Sequence, residues 1–584
     1  MNTSDKNTDT YLLGLDISAG SVFGMVGYCD KSRFIVKDSE SEDYASSFVS
    51  ECDLNDTDKV SEAVKRIKQS LEDRCAQEFN EVFLSVPSAF LKTMDVHASL
   101  LFEEVTIIKD VHIYSLYQKS IKDACDRLNS RTDSHRKYYC LSKDMVKYSL
   151  DDELTDDLVL KKGSKIGIEM VCTFLSYDAV EALESIASNA GLKAKLTLSP
   201  CADAYILLND EFKDKNTAVL NINGEGSDLS IITDGMLVSC TEINDLAGSL
   251  ADSLAEYILV EPDEAEKIIK RIETSKETEF EDILGLNHTI TKKDVYEKLL
   301  TPLKNLSRCA YEEIIRLNAI KKIDAIIVTG ELSKFCEHAA FLKNDTDIPV
   351  SFFDLKSEDI LNKVSVLEDS RKLNYVTVKT AGAVLNSLTG INSFINVSIN
   401  DDVIKLYDNN RLTVLDAAMQ IGLDKNALFA RLGDSLTFIL NGKEQTVKGE
   451  PGENCTLILN GEECALNSYL HDNDSIKLIP STKGIKGSIT LGGLNKVSPK
   501  LSFTVNNMNV SLPVVCSVNG KMYNNSYEIK DGDQVEIPDY LTVDRILELL
   551  DITLKDNQKV TVNGETSHIN TKVYSNSSVD VINI

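Results

Sequence analysis

The chain has 584 residues, with 62 Lys and Arg against 92 Asp and Glu, a net charge of −30, and 42% hydrophobic residues. That length implies several domains, and that apolar share implies packed cores rather than disorder. The acidity argues against a duplex-binding surface and disfavours anionic lipid, since both need clustered Lys and Arg, so no nucleic-acid partner is expected.

Residues 1–10 are expected to be a disordered tail. Between residues 12 and 30 an apolar run, a small-residue turn and a second apolar run predict a hairpin, with Asp16 just ahead of Ser18-Ala19-Gly20-Ser21. Residues 58–77 put Val60, Ala63, Ile67 and Leu71 on one helical stripe behind Asp58 as N-cap. A strand at 81–86 ends at Pro87. Further strands are predicted at 96–100, 138–148 and 167–175, with helices at 110–129 and 177–190, the last closed by Gly191. Residues 193–199 read as a strand and 200–208 as a helix.

The stretch 219–242, VLNINGEGSDLSIITDGMLVSCTE, reads as strand, phosphate-sized loop, strand, tight Asp234-Gly235 turn, strand. Glycines such as Gly224 and Gly226 let a backbone approach a polyphosphate, and consecutive amides in such a turn form an anion nest. Helices follow at 246–259, 263–271 and 295–318, then a buried strand at 325–329 running into Gly330, and a helix at 380–388. Thirteen cysteines show no C-x-x-C, and seven histidines show no H-E-x-x-H or Ser/His/Asp signature. Metalloenzyme and hydrolase readings have no footing. No apolar run reaches the roughly 18 residues of a membrane span, and MNTSDKNTDT is not a signal peptide, so a cytoplasmic protein is expected.

The hairpins at 12–30 and 219–242 resemble the two phosphate loops of the actin-like ATPases, in the branch of FtsA and PilM. The first resembles the D-h-h-h-G-T-x-K turn of FtsA, the second its D-I-G-G-G-T-T-D turn. EPDEAEKIIKR at 261–271 resembles the family's T-P-x-x-A-E-x-h-K helix, whose Glu and Lys touch the nucleoside, and Ala325–Thr329 with Gly330 resembles the turn under the adenine. The order of elements from 82 to 192 resembles the small subdomain inserted in FtsA. The likeness spans residues 11–390.

The resemblance implies an α/β chain with an actin-like (ribonuclease-H-like) two-lobed ATPase fold. Lobe 1 would be 11–81 and 193–215, the FtsA-type inserted subdomain 82–192, lobe 2A 216–245 and 320–393, and subdomain 2B 246–319. It implies ATP and Mg as cofactors. Asp16 and Asn221 would hold the metal, and Asp16, Ser18, Gly20, Asn221, Gly224, Gly226, Ser227, Glu266 and Gly330 would surround the nucleotide; no catalytic residue is assigned.

The motifs depart from the family in one direction. The first loop has no Thr or Lys after Asp16, Asn221 stands for the second loop's Asp, Asn223 and Glu225 stand for glycines, and Ile269 stands where the nucleoside Lys is expected. If Glu225 faced a phosphate, like charges about 4 Å apart would repel by about 4 kcal/mol at an effective dielectric near 20. Weak or vestigial ATP binding is expected; efficient hydrolysis is not.

Beyond residue 393 an internal repeat stands out. Asn460-Gly461, Asn519-Gly520 and Asn563-Gly564 each end an alternating run, and a polar turn begins twelve residues after each Asn. Helices at 413–421 and 542–550 both open with Thr-Val after a Leu. These features resemble the β-grasp of sulfur-carrier and ubiquitin-like proteins. Two α+β β-grasp-like domains are expected, at 394–482 and 499–584, joined by a flexible linker at 483–498. Neither ends in Gly-Gly, so binding modules are expected rather than carriers.

The resemblance implies a cytoplasmic scaffold of bacterial cell division or envelope assembly, self-assembling and partnered by proteins such as the tubulin-like division protein. The family's basic amphipathic membrane helix has no counterpart in SSVDVINI, so no direct membrane anchor is seen and recruitment to the inner membrane face would need a partner. The degraded loops also fit a nucleotide-free adaptor of the PilM type. A sugar or acetate kinase on the same fold would need usable phosphate loops.

Overall fold

The computed structural model describes residues 10–18, 21–43, 49–50, 53–54, 57–132, 135–223, 226–243, 246–318, 322–330, 332–338, 341–343, 346–367, 373–494 and 500–583. The expected tail at 1–10 lies outside them except for Thr10. Two compact units divide the chain, Met1–Leu423 with Ile458–Lys477, and Asp424–Leu457 with Leu478–Ile584. No described helix is long and apolar enough to cross a membrane.

In the first unit, Leu12–Ile17 (β1) is buried along almost its whole length because neighbours cover both of its faces, which explains its near-continuous apolar run. Ser21–Asp30 (β2) and Arg33–Asp43 (β3) extend it antiparallel. Glu81–Val86 (β4) and Lys193–Leu198 (β5) extend it in parallel on the other side, giving the order β3-β2-β1-β4-β5. A second sheet repeats this plan. Asn216–Asn223 (β6), Gly226–Thr233 (β7), Met236–Ile243 (β8), Ala325–Thr329 (β9) and Val350–Phe352 (β10) run in the order β8-β7-β6-β9-β10 with the same strand directions. Each sheet has its own core, around Leu15, Val26, Ile67 and Leu84 in the first lobe and around Leu220, Ile231, Leu254 and Ile326 in the second.

Two helices set the space between the lobes. Ser199–Leu207 (α1) starts with Pro200 in its first turn. Tyr375–Thr389 (α2) is N-capped by Asn374, whose side chain accepts from the Thr377 amide, and ends at Gly390 in the left-handed conformation. A Cβ on Gly382 would fall 2.4 Å from the Ala202 carbonyl, and one on Gly14 would fall 2.9 Å from Thr380 Cγ2. These two positions let α2 press against α1 and β1.

Between β4 and β5 lies a four-stranded sheet, ordered Leu91–Ile107, Lys162–Ser176, Tyr138–Leu150, Glu153–Thr155. The helix Asp110–Thr132 packs on it over a core that includes Val96, Leu116, Ile168 and Phe174. The first of these strands is 17 residues long, against the five predicted, because its distal half points Leu101, Glu103 and Val105 outward and breaks the apolar alternation.

The C-terminal region repeats one five-strand plan three times, the first set continuing the lobe-1 sheet and the other two standing as sheets of their own. Counting the strands of each set along the chain, the spatial order is second, first, fifth, third, fourth. The first uses Ser393–Ile399, Asp402–Asp408, Thr456–Leu459, Glu462–Cys464 and Ser475–Ile479; the second uses Leu436–Leu440, Lys443–Val447, Ser517–Val518, Lys521–Met522 and Gln534–Glu536. The third uses Lys500–Val505, Met508–Pro513, Gln558–Val562, Glu565–Ser567 and Ser578–Asn583. The sheets are interleaved: the opening hairpin of each precedes the last three strands of the one before. This differs from two domains in series: the first set ends before 483 and the third begins after 498, while the second takes strands from both sides of that stretch. That stretch is no flexible joint over its described part. Gly484 and Gly487 lie so close to other backbone that a Cβ would fall 1.9 Å from the Glu450 carbonyl and 2.3 Å from that of Val447.

The repeated Asn-Gly pairs are type I′ turns, both residues at positive φ. Their Asn side chains also gate the fifth strand. Asn460 bonds Asp474 and the Ser475 amide, Asn519 bonds Asp533 and the Gln534 amide, and Asn563 bonds Ser577 and the Ser578 amide. The repeated Thr-Val is a helix start, with Thr413 and Thr542 as N-caps. The first of the three sheets is tied to the first unit: Ser393 pairs with Thr197 of β5, and Gln420 donates to the Tyr138 carbonyl at 2.8 Å.

Candidate functional site

Asp16 and Asn221 occupy the first strand of their respective lobes, β1 and β6. Around them stand Asp203 on α1, Asp228 on β7, and Tyr375 and Lys379 on α2. Tyr375 and Lys379 are four residues apart and so share one helix face. Lys379 Nζ lies 3.1 Å from Asp16 Oδ1, with side chains only 16% and 7% exposed. The Tyr375 hydroxyl lies 2.9 Å from Asn221 Oδ1 and 3.1 Å from Asp203 Oδ2. Asn221 Nδ2 donates to Asp228 Oδ2 at 3.1 Å, and Asn223 Nδ2 donates to Asn221 Oδ1 at 3.0 Å. The Ser88 hydroxyl lies near enough to Asp228 to favour its charged form.

A phenol has one proton. If Tyr375 gives it to Asn221, its oxygen must accept from Asp203, which requires a protonated carboxyl there. The electrostatics agree. Burial pushes Asp203 up to about 7, with Lys379 and a bond from the Tyr375 hydroxyl opposing the rise and Asp228 and Asp16 adding to it. Burial pushes Asp228 up to about 6, opposed by Lys379, Asn221 and Ser88. Burial works against the charge of Lys379, but Asp16, Asp203 and Asp228 outweigh it and raise its pKa.

The other expected site residues are dispersed. The Ser18 hydroxyl bonds within its own turn, donating to the Ser21 carbonyl at 3.1 Å. Gly20, Gly224 and Glu225 lie outside the described residues. Gly226 opposes Asn223 in the β6–β7 ladder. Ser227 pairs with Ile222, one step along the strands from the Asn221–Asp228 pair, and therefore faces away from the cleft. Ile222 belongs to the lobe-2 core, and the buried Ser227 hydroxyl has no hydrogen-bond partner; a phosphate-facing role is corrected by the strand register. Glu266 is half-buried on Pro262–Thr274, while Ile269 is a core residue, 2% exposed, so no lysine reaches a nucleoside from that position. Gly330 has φ 98°, and a Cβ there would fall 2.3 Å from the Ile222 carbonyl. Its glycine is explained by the turn after β9 packing on β6.

The donors do not fit a magnesium ion. Asp16 faces an ammonium, and the Asn221 amide is neutral and bonded at both ends, whereas magnesium takes carboxylates and water in near-octahedral array. Among the described residues, no group of three or more His, Cys, Asp or Glu could hold a metal. Asp203, Tyr375 and Lys379 went unnoticed in the sequence. The available signal was a lone Asp in SPCADAYIL and a lone Lys in YVTVKTAGAVLNSLT, charges within otherwise apolar helices.

No protein-family model and no curated protein matches the sequence. Similar solved structures include a PilM–PilN type IV pilus biogenesis complex, 14% identical over 65% of this chain and 98% of that chain, with a TM-score of 0.43. The ethanolamine utilization protein EutJ from Carboxydothermus hydrogenoformans is 14% identical over 65% of this chain and 90% of its own, with a TM-score of 0.35. MreB5 of Spiroplasma citri bound to ADP is 13% identical over 60% and 94%, with a TM-score of 0.33. The fold rests on topology instead. Two lobes that share one five-strand plan, the first extended by Val364–Val366 beside β3 and by Ser393–Ile399 beside β5, face each other across Asp16 and Asn221 and are actin-like.

Proposed function

We propose that the chain is an actin-fold adaptor that works through protein–protein contacts and does not turn over nucleotide. The observation that carries this reading is Asn221. At the position where the ATPase resemblance places a charged metal ligand stands a neutral amide, bonded to Asp228 on one side and to Tyr375 and Asn223 on the other. The PilM-type adaptor is thereby favoured over an FtsA-like scaffold switched by ATP, and any ATP binding would be vestigial. The three C-terminal sheets are read as β-grasp-like modules, and the four-stranded insert as the FtsA- and PilM-type subdomain; both offer partner-binding faces. A cytoplasmic location, self-assembly and a division or envelope partner belong to the same reading. The test is calorimetric titration of the full chain with ATP and Mg²⁺. No heat of binding is expected; micromolar binding lost in Asn221→Ala would replace the adaptor with a nucleotide-switched scaffold.

A further inference from the structure

We propose that Lys379 is a built-in cation that holds the two lobes closed without nucleotide or metal. Its ammonium is fixed to lobe 1 by the 3.1 Å contact with Asp16, and at longer range its charge favours the ionised form of Asp228 of lobe 2. The placement is set by backbone. Gly14 and Gly382 allow α2 to lie directly on β1 and α1, so the ammonium is delivered by a packed helix rather than a mobile surface side chain. One turn earlier on the same face, Tyr375 crosses to Asn221 of lobe 2. Without the ammonium, the buried acids that act on it, Asp16 and Asp203 of lobe 1 and Asp228 of lobe 2, would share the cleft with no countercharge. In the ATPase resemblance a metal would carry that positive charge; here a side chain does.

The proposal shares with the adaptor reading only the premise that the cleft works without nucleotide. Titration with ATP tests that premise, and the following experiment uses no ATP. Lys379→Ala removes the charge and leaves room for a short alkylammonium ion. Hydrogen exchange of the full chain, read at the amides of β1, β6 and β7, is expected to speed up by about tenfold or more in the variant. Propylammonium chloride should restore protection in Lys379→Ala, whereas 1-propanol, of similar shape but neutral, should not, and neither should change the wild type. Equal rescue by both would show a packing role and overturn the proposal, as would rescue by neither. Should Lys379→Ala fail to fold, Lys379→Arg and Lys379→Met carry the test. Protection kept in Arg and lost in Met supports the built-in cation, and the reverse overturns it.

Discussion

The two lobes repeat one strand plan, yet their first strands meet the cleft with different groups. Lobe 1 brings Asp16, a charge, and α2 answers it with Lys379; lobe 2 brings Asn221, an amide, and α2 answers it with Tyr375. One helix thus serves both lobes from positions a single turn apart. A buried charge requires a counter-charge, while a buried amide requires only hydrogen-bond partners. The lobes should therefore respond unequally to loss of their central residue.

Asp16→Ala should have the largest effect. It leaves the enclosed Lys379 ammonium without its contact partner, and breaking such a pair costs up to about 5 kcal/mol. Asn221→Ala removes hydrogen bonds only and should cost about 1–3 kcal/mol. Hydrogen exchange at β1 and β6 reads both losses locally, which suits a chain of two units better than a single melting point. Equal losses would break the comparison.

Asp203 sharpens it through pH. Its folded-state pKa of about 7 lies above the usual 3.8, so the folded chain keeps a proton that the unfolded chain gives up. Its contribution to stability is therefore present below pH 4 and is lost as pH rises toward 7, by up to about 4 kcal/mol at about 1.4 kcal/mol per pKa unit. Asp203→Asn fixes the neutral state and should gain on the wild type by that margin between pH 4 and pH 8. Denaturation of both at the two pH values checks it; a constant gap would mean that Asp203 is ionised throughout.

How far such features are legible in the sequence depends on the range of the contacts that create them. The inner strands of both lobe sheets and the Asn-Gly turns were readable, because apolar runs and positive-φ Asn-Gly pairs are local signals, whereas the outer strands Arg33–Asp43 and Val350–Phe352 were not read. Three Asn-Gly repeats were visible while only two domains were inferred. The second sheet takes its opening hairpin from 436–447 and its remaining strands from 517–536, with strands of the other two sheets lying between, and no local pattern announces that pairing. The cleft divides in the same way. Asp16 and Asn221 stood out beside turn residues, but Lys379 and Asp203 acquire meaning only when Gly382 brings α2 onto Ala202. Ser227 was misplaced because a loop motif does not reveal on which face of a strand each residue falls.

The smallest expected effect belongs to Tyr375→Phe. The ring is buried and edge-on to Phe353, with centroids 5.9 Å apart, and phenylalanine fills the same space. Only the hydroxyl is lost. Asn221 Oδ1 keeps its bond from Asn223, so the orphaned group is Asp203, which is protonated below its pKa of about 7 and there tolerates the loss better than a carboxylate would. A cost of about 1 kcal/mol follows. It should grow as pH rises through 7, because an ionised Asp203 loses a donor it needs, and it should vanish in an Asp203→Ala background, a double-mutant cycle that isolates the pair. A cost independent of both pH and Asp203 would assign the hydroxyl to Asn221 alone and leave the lobes joined at that point by the amide.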